Sequence, residues 1–181
     1  MIDNVGFLGE IPYIKSRVLE LFLSDEYLMK LVADRADIVV PALDLRYTQV
    51  YPFEYTMGTT TSAKAFITME TSVTSRKDLS NRQHPGIVDV SLYIYAFCHE
   101  SIMIVDDTVA RRLRLEDENA RGSRIDLMCS RIDELINGSE LSSFGKFVFD
   151  DQQILNPVAV NYHGKCNCYM SMNANRYGGA L

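Results

Sequence analysis

Between Ile87 and Cys98 the chain alternates without a break. Val88, Val90, Leu92, Ile94, Ala96 and Cys98 fall on one side, and Asp89, Ser91, Tyr93, Tyr95 and Phe97 on the other. Successive side chains of a strand point to opposite faces, so this segment reads as a strand with one wholly apolar face. A second stretch, 65–75, behaves alike. Ile67, Met69, Thr71 and Val73 share one face, while Phe66, Thr68, Glu70, Ser72 and Thr74 share the other. A core face backed by a more polar face is the pattern of an antiparallel sheet. The two strands form a natural pair across 76–86, a polar loop that contains a Pro-Gly step and is expected to be mobile.

An apolar sheet face needs a cover, and a helix supplies it. The best candidate is 123–137, where Ile125, Met128, Cys129, Ile132, Leu135 and Ile136 recur at spacings of three and four. Ser123 with Asp126 resembles a capping box, and Gly138 stands where a C-terminal cap glycine belongs. Near the N-terminus, Ile14, Val18, Leu21 and Phe22 and then Leu28, Leu31 and Val32 predict two consecutive helices, or one kinked helix, ending near Asp34. Pro12 suits a first helical turn, and Ser24 before Asp25 and Glu26 reads as a fresh N-cap.

The remaining elements are smaller. Short extended pieces are expected at 38–40 and 45–50, in a region broken by Pro41 and Pro52, followed by a turn-rich link at 58–62. Residues 102–105 extend the strand before them, and the mixed charges of 111–121 start a helix or form a solvated loop. A short strand at 147–149, a turn at Asn156-Pro157, a closing strand at 162–173 and a poorly ordered tail at about 174–181 complete the chain. The expectation is one α+β domain over 1–181, an antiparallel sheet packed by a main helix at about 124–137 plus the N-terminal helices.

Composition removes several classes. A chain that is 47% hydrophobic and 23% charged is not disordered throughout. No apolar run nears the roughly 18 residues of a membrane span, and the first residues lack the basic start and apolar stretch of a secretory signal. With 18 basic and 24 acidic residues, the net charge of -6 argues against a surface that grips nucleic acid.

Chemistry is sparse. The phosphate-binding, dinucleotide-binding, zinc-protease and nucleophile-elbow motifs are missing. His99-Glu100 and Asp106-Asp107 are adjacent pairs, and adjacent strand residues point to opposite faces, so they do not converge by themselves. His84, His99 and His163 have no evident nucleophile beside them. Of the four cysteines, Cys98 and Cys129 read as core residues, while Cys166 and Cys168 share a strand face and pack there rather than chelate. Arg111, Arg112 and Arg114 precede Glu116, Asp117 and Glu118, which points to local neutralisation or a solvated face rather than phosphate binding. No catalytic, cofactor-binding or metal-binding residue is assigned, and the chain is expected not to be an enzyme. The competing reading is a small cytoplasmic metal-binding module or hydrolase using His99, Glu100, Asp106 and Asp107, or His163 with Cys166 and Cys168. Tyr93, Tyr95 and Phe97 stand out because they make the second face of an already apolar strand aromatic. Two explanations are open: burial under the N-terminal helices, or a subunit interface, where aromatics are enriched.

The aromatic run RYTQVYPFEYTMGTTTSAKAFITMETSV (46–73) and the strand VDVSLYIYAFCHESIM (88–103) resemble the tail terminators of tailed phages, also called tail-completion or neck proteins. Helix 124–137, the strand at 146–149 and the closing strand at 165–172 add to the likeness, which spans most of 12–173. It rests on element order and on aromatic and His-Glu landmarks, and the charged stretch 106–121 departs from it. The resemblance implies an α+β subunit in a hexameric ring that caps the tail tube and joins it to the head connector. Its partners would be copies of itself, the tube protein and the connector protein. Genomic DNA would pass through the lumen without sequence-specific contact, and an acidic lumen would let phosphate slide. The implied place is the virion neck, after assembly in the host cytoplasm, with no membrane contact and no cofactor. A head-closure or adaptor protein of the same neck is the nearest alternative.

Overall fold

The computed structural model of the chain describes residues 10–54, 62–76, 87–115, 120–142, 145–159 and 161–171. In chain order the elements are α1 (Glu10–Leu23), α2 (Glu26–Ala33), β1 (Val50–Tyr51), β2 (Ala65–Arg76), β3 (Ile87–His99), β4 (Ile104–Val105), α3 (Asp107–Leu113), β5 (Gly122–Ser123), α4 (Arg124–Ile136), β6 (Glu140–Ser142), β7 (Gly145–Ala159) and β8 (Tyr162–Ser171). The 58–61 part of the expected link, the loop at 77–86, the acids at 116–118 and the tail at 174–181 lie outside the described residues.

The N-terminal pattern yields two helices. The break between them is set by Asp25 rather than Ser24, because the Asp25 carboxylate accepts the Leu28 N–H at 2.8 Å. Ile14, Val18, Phe22, Leu28, Leu31 and Val32 are all buried, as the helical spacing requires. The next region differs from expectation. Residues 38–40 are not a strand, and 45–50 is mostly a turn: the Leu45 carbonyl accepts both Thr48 N–H (3.2 Å) and Gln49 N–H (3.0 Å). Val50 and Tyr51 pair with β2 in parallel, and Arg46 makes an isolated bridge to Val50.

Six strands form one sheet in the order β1-β2-β3-β8-β7-β6. β2 and β3 are antiparallel in unbroken register, from Ala65 opposite Cys98 to Arg76 opposite Ile87. β8 fills the other side of β3, from Ser91 opposite Met170 to His99 opposite Tyr162. Residues 102–105 do not prolong β3. A 3-10 turn at Glu100–Ile102 ends it, and β4 pairs with β5 in a separate ladder. Asp106 then caps α3 by accepting the Val109 N–H at 2.8 Å, so a helix begins ahead of the arginine run.

β7 is far longer than the strand read at 147–149, and it passes through Asn156 and Pro157 where a turn was expected. Register shifts at Phe149/Asp151 and Leu155/Ala159 interrupt its pairing with β8. Such bulges reset the alternation that reveals a strand, and proline is tolerated where a strand has no outer neighbour.

All the large helices lie on one side. α4 crosses β3 and β8, α2 lies against β2, and α1 packs on α2 and α4. Ile125, Met128, Cys129, Ile132 and Ile136 of α4 meet Val90, Leu92 and Ile94 in one apolar cluster. Gly138 follows the helix with φ of 79°, a left-handed conformation that glycine adopts freely. Ser123 caps α4 without a side-chain bond, so the expected capping box does not form. The result is a two-layer α+β domain with every layer contact on one sheet face.

Candidate functional site

The second sheet face carries no helix among the described residues, and the N-terminal helices do not cover Tyr93, Tyr95 and Phe97. That expectation fails because α1 and α2 join α4 over the more apolar side. Antiparallel register arranges the open face in rows, since directly paired residues share a side. Phe66, Phe97, Gly164 and Leu155 make one row, and Thr68, Tyr95, Cys166 and Gln153 make the next. Glu70, Tyr93, Cys168 and Asp151 make the third.

The first row is closed. Phe66 stacks on Phe97 with centroids 4.8 Å apart, Tyr162 tilts against Phe66 at 5.8 Å, and Tyr51 joins them in a second small core. Gly164 makes this possible. A Cβ there would lie 2.8 Å from both Cδ1 and Cε1 of Phe97, so the ring occupies the space a side chain would take. Phe97 is therefore buried, unlike the other two aromatics of the trio.

The other rows are half open. Tyr93 and Tyr95 stand beside the buried thiols of Cys168 and Cys166, their direct partners in register. Burial, then the neighbouring Cys168, pushes the Cys166 thiol up to about 12. Burial and then Asp150 push Cys168 upward as well. Both tyrosine hydroxyls are also shifted upward, first by burial. The Tyr95 hydroxyl donates to Glu70 at 3.2 Å. At neutral pH these rows carry thiols and phenols rather than thiolates, and a thiol held so far from ionisation is a poor nucleophile or metal ligand. The surface is aromatic with polar tips, a mixture suited to contact with another macromolecule.

The other candidate residues are not brought together. Cys166 and Cys168 share the open face, while His163 alternates to the opposite one. The His99 ring meets Tyr162 edge-on at 5.1 Å, and its Nδ1 lies 2.8 Å from the Ser101 hydroxyl. Asp106 is engaged as the α3 cap, and Asp107 pairs with Arg121. Among the described residues no three His, Cys, Asp or Glu side chains are grouped to hold a metal ion.

Two of the three clustered arginines are paired with distant acids. Arg112 binds Asp34 at 2.7 Å, Arg114 binds Asp37 at 3.2 Å, and the Arg111 side chain donates to the Asp107 carbonyl. Sequence reasoning missed the residue beside them, Arg124, which is 1% exposed. Its guanidinium donates to the Ile102 carbonyl (2.7 Å), the Leu31 carbonyl (2.8 Å) and Asp34 (2.6 Å). It ties α4 to the end of α2 and to the turn after β3. Burial opposes ionisation of Asp34, but hydrogen bonds and charge from Arg112 and Arg124 outweigh it and hold the carboxyl below its ordinary value of 3.8. An arginine at a helix start gives no sequence signal of such a role.

No described helix is long and apolar enough to cross a membrane. A family model, YomW, matches residues 20–171, which takes in α2, α3, α4 and the whole sheet and points to a phage-associated protein. No curated protein matches the chain.

Proposed function

The chain belongs to the YomW family, and on that premise we propose that it is a structural protein of a phage virion, a tail terminator rather than an enzyme. In this reading its copies form a ring, six-fold as the resemblance implies, that ends the tail tube and meets the head connector. The ring surrounds the passage for DNA. The partners are other copies, the tube protein and the connector protein.

The observation that carries the reading is the half-covered sheet. One face is sealed by three helices, and the other presents Tyr93 and Tyr95 beside a small aromatic core. Sheets are commonly packed on one face and solvated on the other, but a solvated face is normally polar. An aromatic one fits a face that another chain covers. The net charge of -6 suits a lumen that does not hold phosphate.

Two measurements test this. Native mass and imaging of virions should find a ring of this chain at the end of the tail, and a location away from the neck and tail end sinks the proposal. Density on the connector side alone would make it a head-closure protein instead. Tyr95→Asp should block ring formation while leaving the fold intact, because Tyr95 is half-exposed and packs on the small aromatic core rather than the main apolar cluster. If the variant unfolds, the ring is built from another surface.

A further inference from the structure

The six-stranded sheet has two unlike ends, and we propose that they are complementary. The basic, apolar pocket beside β1 receives the acidic, apolar rim of β7 from a second copy of this chain. This deepens the ring reading and rests on it by naming a further contact between copies, at the ends of the sheet, beside the one at the open face.

The pocket is a cavity of about 320 Å³ between the N-terminal half of α1 and the segment around β1. Ile11, Pro12, Leu19 and Pro52 give it apolar walls, and Lys15 and Arg46 give it charge. Neither cation makes an ion pair among the described residues, in a chain whose net charge is -6. The Arg46 guanidinium lies 4.9 Å from the centre of the Tyr47 ring and donates to the Tyr47 hydroxyl at 3.1 Å. Tyr47 holds a left-handed φ of 59°, which a residue with a side chain rarely adopts, and its N–H is fixed to the Val50 carbonyl at 2.9 Å. Its ring stacks on Phe53 at 6.5 Å, Phe53 meets Tyr51 at 5.7 Å, and Tyr51 belongs to the aromatic cluster of the open face. The pocket is thus linked by aromatic contacts to the rim of that face.

Strand order puts β7 near the far end of the same sheet. β6 covers only its beginning, so past the bulge at Phe149/Asp151 no described strand pairs with its outer edge. Here Ile154 is 78% exposed and Phe149 41%. An exposed apolar side chain on an open strand edge invites association unless something covers it. Between the two lie Asp150 and Asp151, which form no ion pair among the described residues. One end therefore offers unpaired cations around an apolar hole, and the other is an open edge strand with exposed apolar side chains on its helix side and acids without an ion pair on its other side. The hole has room for a Phe or Ile side chain. Because the two surfaces differ, their contact is head to tail and repeats from copy to copy, as a ring demands.

Charge reversal tests the match on the full chain. One variant carries Lys15→Glu with Arg46→Glu, the other Asp150→Lys with Asp151→Lys. All four residues lie outside the main apolar cluster, and thermal melts will confirm folding. Each variant alone should self-associate on the order of tenfold more weakly than wild type in sedimentation. An equal mixture should recover association, because each acidic pocket then meets a basic rim and each basic pocket an acidic rim. Unchanged association of either variant, or no recovery on mixing, overturns the proposal. Replacing Tyr47 with the photo-reactive benzoylphenylalanine should cross-link a second copy within 145–155. Cross-links confined to other segments of a formed ring refute this contact and leave the ring reading standing. A chain that stays monomeric at every concentration and gives no cross-link refutes both.

Discussion

On β3, Leu92, Ile94 and Ala96 are fully buried, whereas Tyr93 and Tyr95, interleaved with them, are half-exposed. The two sets occupy the same strand and differ only in what lies above them. Over the first set, helices exclude water, and most polar groups caught there are tied down, the buried Asp133 Oδ1 being an exception. Asn167 donates to the Cys129 carbonyl at 3.0 Å and to the Tyr169 hydroxyl at 3.1 Å, and it accepts from Gln152 at 2.8 Å. Lys165 reaches Asp126, and Arg124 makes the three bonds described above. In a water-free layer an unmade hydrogen bond carries its full cost. The second set holds phenols and thiols, groups that tolerate either water or a covering chain. One face is finished within the chain, and the other is the face on which the proposed assembly rests.

The sharpest way to break this contrast is Arg124→Ala. It leaves two carbonyls without their donor and Asp34 without a buried cation, at a cost of about 3–5 kcal/mol. Urea unfolding measures it, and a loss below about 1 kcal/mol would show that water reaches the site. Gly164→Ala tests whether the open face has a packed core of its own. Its Cβ would force the Phe97 ring aside, at about 1–3 kcal/mol. An unchanged melting temperature would mean that the ring swings away freely and that the row is not packed.

The smallest effect is expected in acid. The Asp34 carboxyl is held below 3.8 by its arginines after their pull has overcome burial. A depressed carboxyl stabilises the fold at pH values above the unfolded value, and this contribution fades as pH falls through the lower folded value. Asp34→Asn should therefore be less stable than wild type at neutral pH, with the gap closing at pH values below 3.8. A gap that stays constant down to that range would show that Asp34 is not held as a paired carboxylate. Tyr95→Asp, by contrast, belongs to the open face and should cost less stability than Arg124→Ala while weakening the proposed assembly.

The periodic segments were legible in the sequence because burial repeats with the geometry of the element. The alternation at 65–75 and 87–98 specified two strands and the face each buries, and the stripe from Ile125 to Ile136 specified the helix that covers them. The α+β class followed from that pairing. Where periodicity is interrupted, local signals misled. The bulges hid most of β7, and a cap at Asp106 placed α3 ahead of the charges that drew attention. The sequence also marked Tyr93, Tyr95 and Phe97 as unusual, but tertiary structure alone decided their separate fates. Phe97 is buried because Gly164 lies across from it, and Tyr93 and Tyr95 stay open because all three large helices chose the other side. Arg124, paired with residues about ninety positions away, and the unlike ends of the sheet are equally non-local. Spacing along a chain encodes which residues share a face, and only folding decides what comes to rest upon it.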